Sequence, residues 1–153
     1  MPDETEILCR PVTWPGLPPG RVDILGFSDD EDGLRIIFGF WNAQTESPTA
    51  KGYVTFDNYF EFRAKDEGYR LMDAALASDA FRTTPIVIVE NSPLSRHVVE
   101  SAAGIVNPEW LTHYLLASEN MCVDVVVGLG VEPRIQSEQG VGGQPATPPR
   151  VGD

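Results

Sequence analysis

The sequence predicts an α+β fold, a single domain built mainly on an antiparallel sheet with one or two short helices. Short runs rich in Val, Ile, Phe and Tyr recur between turn clusters, at Val22–Ser28, Leu34–Trp41, Tyr53–Phe56, Pro85–Val89 and Met121–Val127. Helical signals appear in Tyr69–Ala80 and in the segment after Ser92. The regular βαβα alternation of a doubly wound fold is missing.

Taken in order, residues 1–20 carry Pro2, Pro11, Pro15, Pro18 and Pro19 with Gly16 and Gly20. Proline fixes φ and lacks a backbone N–H, so this stretch reads as an extended N-terminal arm, anchored by Trp14. Val22–Ser28 and Leu34–Trp41 flank the turn cluster Asp29, Asp30, Glu31, Asp32, Gly33 and read as a hairpin. Asn42–Gly52 is poor in apolar side chains and reads as an exposed loop. Strand character resumes at Tyr53–Phe56. Tyr59, Phe60 and Phe62 then carry the apolar supply to Arg63, past an interruption at Asp57 and Asn58 that fits a bulge or tight turn.

Tyr69–Ala80 sets Leu71, Ala75 and Leu76 near helical spacing among good helix formers. Pro85–Val89 is a β-branched run that reads as a buried strand. Ser92 then caps a helix with Pro93 at its first position, running to about Ala103. Asn107–Ser118 gives two readings. Asn107, Pro108 and Glu109 look like a helix start, whereas Leu111, His113, Leu115 and Ala117 alternate like a strand. Met121–Val127 is a strand by its valines, and Ser118, Glu119 and Asn120 would close a hairpin onto it. From Gln136 onward glycine and proline recur and predict a flexible tail. The expected organisation is an arm over 1–20, an α+β domain over 21–135 and a tail over 136–153.

A chain of 153 residues with 42% hydrophobic and 22% charged residues is large and apolar enough for one core. Its apolar runs fall far short of the ~18 residues that span a bilayer. Asp3, Glu4 and Glu6 stand where a secretory signal would place basic residues, so the expected location is the cytoplasm. Eleven basic residues against 23 acidic ones give a net charge of -12. That charge repels phosphate backbones, which disfavours nucleic acid as a partner and favours a protein with a basic surface.

Cys9 and Cys122 could form one bridge at most, and both are expected to be reduced, with Cys122 in the core. With no CxxC pair and only His97 and His113 as histidines, no metal site is expected. No cofactor is expected either. Gly128 and Gly130 follow a strand but lead to Val131, Glu132 and Pro133 rather than to a phosphate-binding helix, and Walker, HExxH and GxSxG motifs are absent.

Two groups stand out as candidate binding residues. In the acidic turn, Asp30, Asp32 and Gly33 imitate part of a calcium-binding loop. Ser28 and Gly39, however, occupy the positions where its first and last ligands belong. Asp29, Asp30, Glu31 and Asp32 are therefore expected to form an exposed turn that meets a partner. His113 and Tyr114, opening a strand, are the second group. A nucleophile needs a base within reach and a group that orients the base. Cys122 with His113 and Ser95 with His97 are the combinations weighed. A cysteine in a valine-rich strand is inert, so no catalytic residue is assigned. Arg63 with Asp66 and Glu67 reads as a local ion pair.

The stretches YVTFDNYFEFRAKDEGYRL (Tyr53–Leu71) and HYLLASENMCVDVVV (His113–Val127) resemble small uncharacterised bacterial α+β proteins of the immunity type, partners of toxins. The shared features are Phe62 and Arg63, then Asp66, Glu67 and Gly68, then His113 and Tyr114. The resemblance implies a strand at Tyr114–Ser118 and carries over no activity. The expected function is a non-catalytic, acidic protein-binding protein of the immunity (antitoxin) kind, with a homodimer left open. The alternative is a small-molecule-binding domain or enzyme with a pocket near His113 and Tyr114.

Overall fold

The computed structural model describes residues 7–42, 44–66, 79–103 and 105–139. Among them the chain is mostly antiparallel sheet with one α-helix. The strands are β1 (Leu8–Pro11), β2 (Arg21–Asp30), β3 (Gly33–Trp41), β4 (Ala50–Phe56), β5 (Glu61–Asp66), β6 (Ile86–Glu90), β7 (Thr112–Ala117), β8 (Met121–Val127) and β9 (Arg134–Gln139). A five-stranded sheet runs β1-β6-β7-β8-β5 and a four-stranded sheet runs β2-β3-β4-β9, with every neighbouring pair antiparallel.

Side chains alternate between the two faces of a strand, and that alternation builds the core. Leu34, Ile36, Phe38 and Phe40 of β3, with Val54 and Phe56 of β4, face Ile86, Tyr114, Leu116, Val123, Val125 and Val127 of the larger sheet in one buried cluster. Phe56 and Tyr114 touch across it, their ring centroids 5.2 Å apart. The larger sheet is also covered on its outer face. There Val87, Val89, Leu115 and Cys122 are buried with Ala80 and Phe81 packed against them. Burial on both faces explains why β6 and β8 read as nearly continuous apolar runs.

The proline-rich arm carries more structure than its composition suggests. β1 lies within it and pairs with β6, Cys9 opposite Val89 and Arg10 opposite Ile88. Trp14 is the anchor expected. It is buried, meets Phe38 and Phe40 edge-on at 5.3 and 5.6 Å, and donates its indole N–H to Ser137 Oγ at 2.8 Å. Gly52 makes room for it, since a Cβ there would stand 2.4 Å from Trp14 Cζ2.

The C-terminal boundary also moves. The tail expected from Gln136 does not start there, because β9 continues through Gln139 by pairing with β4, Ser137 opposite Gly52. A polar strand forms there because the edge of β4 offers a full ladder of hydrogen-bonding groups. Residues beyond it lie outside the described residues.

The ambiguous Asn107–Ser118 segment resolves by dividing. Asn107 Oδ1 caps a short 3-10 helix at Pro108–Trp110, and the strand then runs from Thr112. Ser92 caps α1 (Pro93–Ser101), accepting the Ser95 N–H at 3.0 Å. Of the helix expected over Tyr69–Ala80, only Asp79 and Ala80 are among the described residues, in a 3-10 helix at Asp79–Arg82. Arg63 pairs with Glu61 at 2.9 Å; the pairing expected with Asp66 and Glu67 falls on side chains outside the described residues. No described helix is long and apolar enough to cross a membrane.

Candidate functional site

The acidic turn joins β2 to β3, with Asp30 opposite Gly33 and the turn made by Glu31 and Asp32. Asp30 Oδ1 accepts the Asp32 N–H at 2.8 Å, an aspartate side chain mimicking a backbone turn. Gly33 has a φ of 110° and lies against the Phe56 carbonyl, a position only glycine fills without strain. Asp29, Asp30, Glu31 and Asp32 are all exposed.

Asp29 is tied inward, because its carboxylate accepts the Tyr59 hydroxyl. That bond to Asp29, followed by desolvation and then by the carboxylate's charge, pushes the Tyr59 phenol above its usual range. Tyr59 stands edge-on to Phe62, which in turn stands edge-on to Phe27. Phe27, two residues before Asp29, is 42% exposed, and Phe60, which follows Tyr59 in the chain, is 52% exposed. Phe60 packs against Gly128, next to Leu129, which is 79% exposed.

His113 and Tyr114 do not form one site. Adjacent residues of a strand point to opposite faces, and Tyr114 enters the core between the sheets while His113 joins the outer face of the larger sheet. Burial, then the Glu132 carboxylate, pushes the Tyr114 phenol up, with Arg10 opposing. Cys122 does not reach His113, because β7 and β8 pair Cys122 with Ala117 and His113 with Val126. His97 is exposed on α1.

What His113 does meet is a serine and an aspartate. Its Nδ1 lies 2.6 Å from Ser92 Oγ and its Nε2 lies 2.7 Å from Asp124 Oδ1. Ser92, His113 and Asp124 are 6%, 5% and 5% exposed. An ionised carboxylate can only accept, so the Nε2 proton faces Asp124; in the neutral imidazole the Nδ1 lone pair is then left to accept from the Ser92 hydroxyl. Ser92 Oγ meanwhile accepts the Ser95 N–H as helix cap.

Local structure sets the geometry. His113 faces Val126 across the β7–β8 ladder and Asp124 faces Leu115, so the two polar residues are diagonal neighbours on one face. Asn91, at a φ of 56°, turns the chain sharply out of β6 and places Ser92 above them. Ser92 also lines a cavity of about 420 Å³ with Arg10, Asn91, Ser95, Arg96 and Thr112.

The sequence marks Ser92 as a cap, which it is, and His113 as a candidate binding residue, but leaves Asp124 unmarked. The available signal was a carboxylate inside an otherwise apolar strand, which must have a partner if buried. Among the described residues no group of three or more His, Cys, Asp or Glu is arranged to hold a metal ion. Comparison with protein-family models, with curated proteins and with solved structures finds no match.

Proposed function

We propose that this α+β domain is an acidic protein-binding module of the immunity (antitoxin) kind, whose partner presents a basic surface. The observation that carries the reading is the composite surface at the β2–β3 turn. Four consecutive exposed acids follow the exposed Phe27 in β2, and Asp29 holds Tyr59, the chain neighbour of the exposed Phe60. Exposed aromatics supply contact area, and a field of one sign steers an oppositely charged partner. The net charge of -12 extends that field over the whole molecule.

The test compares wild type with a variant carrying Asp29→Asn, Asp30→Asn, Glu31→Gln and Asp32→Asn. Each is used as bait under cross-linking in the cells that make the protein. The reading expects a stoichiometric basic protein that wild type retains, that the variant loses, and whose association slows as salt rises. Equal recovery by both baits would remove the acidic turn from the interface.

A further inference from the structure

We propose that Ser92 is a nucleophile that attacks small acyl esters, with His113 as its base and Asp124 as the residue that positions the imidazole. This site is separate from the acidic turn and does not depend on the partner reading.

Three residues far apart in the chain converge in a line of two short hydrogen bonds, 2.6 Å from Ser92 to His113 and 2.7 Å from His113 to Asp124. These are the spacings a nucleophile, its base and the base's orienting group require. Their order matches the chemistry. Asp124 holds the proton on Nε2, so the nitrogen facing the serine is the one with a free lone pair. A helix cap needs only the hydroxyl's lone pairs, and an apolar sheet face needs no histidine at all. Capping α1 therefore leaves the buried imidazole and carboxylate behind Ser92 unexplained.

Access separates this cluster from an enclosed polar tie. Ser92 is the member of the three that lines the cavity of about 420 Å³, within the ~300–1,000 Å³ range of small-molecule sites. The turn through Asn91 presents it there, at a strand-to-helix junction. Arg10 and Arg96 put positive charge on the cavity wall, Arg96 also donating to the Asn91 carbonyl at 3.2 Å, and positive charge favours the negative oxygen that a tetrahedral intermediate of acyl transfer develops. Glu90 also lines the cavity and pairs with Arg10 at 3.3 Å, which leaves Arg96 as the basic group not matched by that acid.

In the step, Ser92 Oγ forms a bond to the ester carbonyl carbon and its proton passes to His113 Nδ1. The carbon–oxygen bond to the leaving alcohol then breaks as Nδ1 returns the proton to that oxygen, giving acyl-Ser92. Water, the co-reactant, repeats the sequence in reverse roles. It releases the carboxylic acid and restores the serine hydroxyl, with no net change in oxidation state.

The experiment treats the intact protein with a fluorophosphonate probe and measures the adduct by mass spectrometry, with p-nitrophenyl acetate turnover alongside. The expected result is one adduct per chain, mapped to Ser92 and absent in Ser92→Ala. His113→Gln should label roughly 10²–10⁴-fold more slowly. Asp124→Asn is read by the ¹⁵N shifts of His113, and labelling should fall as the Nε2-protonated tautomer is lost. No adduct on wild type, or an adduct mapped to another residue, overturns the proposal even if a variant fails to fold. So does an unchanged labelling rate in a His113→Gln protein that keeps its thermal midpoint, or an unchanged rate in Asp124→Asn despite loss of that tautomer.

Discussion

Gly52→Ala is the sharpest test of how the arm is held. The new methyl would stand 2.4 Å from Trp14 Cζ2, 2.8 Å from Trp14 Cη2 and 3.0 Å from Phe40 Cε2. Trp14 cannot yield easily, because Phe38 and Phe40 stand edge-on to it and its indole N–H is bound to Ser137. If the ring shifts and stays buried, overpacking of this kind costs about 1–3 kcal/mol. If it is expelled, about 200 Å² of aromatic surface returns to water, which at about 25 cal/mol per Å² sets an upper bound near ~5 kcal/mol.

The expected loss is therefore about 2–4 kcal/mol, or a fall of roughly 4–15 °C in thermal midpoint at this chain length. Trp14 is 5% exposed whereas Trp110 is 50% exposed, so partial expulsion should red-shift the tryptophan emission. A double-mutant cycle with Trp14→Phe should show coupling of at least about 1 kcal/mol, since the two residues touch. A midpoint within about 1 °C of wild type, with unmoved emission, would refute the account of Gly52 as the seat of Trp14.

Other outcomes follow from the same geometry. Leu116→Ala empties a fully buried position in the core between the sheets and should cost about 2–5 kcal/mol by urea unfolding; a loss below about 1 would mean the sheets do not share that core. Ser92→Ala removes the cap of α1 and the donor to His113 Nδ1, so a loss of about 1–3 kcal/mol is expected, small enough to leave a folded protein. Ser118 Oγ accepts the N–H groups of Ile24 and Met121, each at 3.2 Å, and Ser118→Ala should cost about 1–2 kcal/mol in urea; no loss would show that Asn120 Oδ1, which also accepts the Ile24 N–H at 3.0 Å, suffices.

Tyr114 gives a prediction in pH. Its phenol is raised in the folded state, so the fold holds that proton more tightly than the unfolded chain does. The resulting stability is complete below the ordinary tyrosine value near ~10 and is lost as pH rises through the folded value. Tyr114→Phe should flatten the alkaline fall in urea midpoint across that window. An unchanged fall would assign it to other groups.

Much of the fold is legible because alternation and turn chemistry agree over Val22–Trp41 and Met121–Val127. Those segments form their strands wherever the core is placed. β1 and β9 are illegible for the opposite reason. LCRP and RIQSEQ carry little intrinsic preference, and they are strands because β6 and β4 have edges to complete. The candidate site divides the same way. The cap at Ser92 is local and can be read from Ser-Pro alone. The link to Asp124 depends on which turn closes the β7–β8 hairpin, since pairing Ala117 with Cys122 is what sets His113 diagonal to Asp124. A slip of one residue would send the two to opposite faces.

The pairing of β1 with β6 and of β4 with β9 bears on how the chain is made. On a ribosome the β2–β3–β4 meander can assemble from neighbouring segments as it emerges. β1 must wait until residues 86–90 are out, and β4 keeps an open edge until residues 134–139 follow. Such distant closures are slow and leave sticky edges exposed meanwhile. The nascent chain therefore passes through its most vulnerable stage after most of its core residues have been synthesised, and β9, a polar strand of six residues, is the latch that ends it.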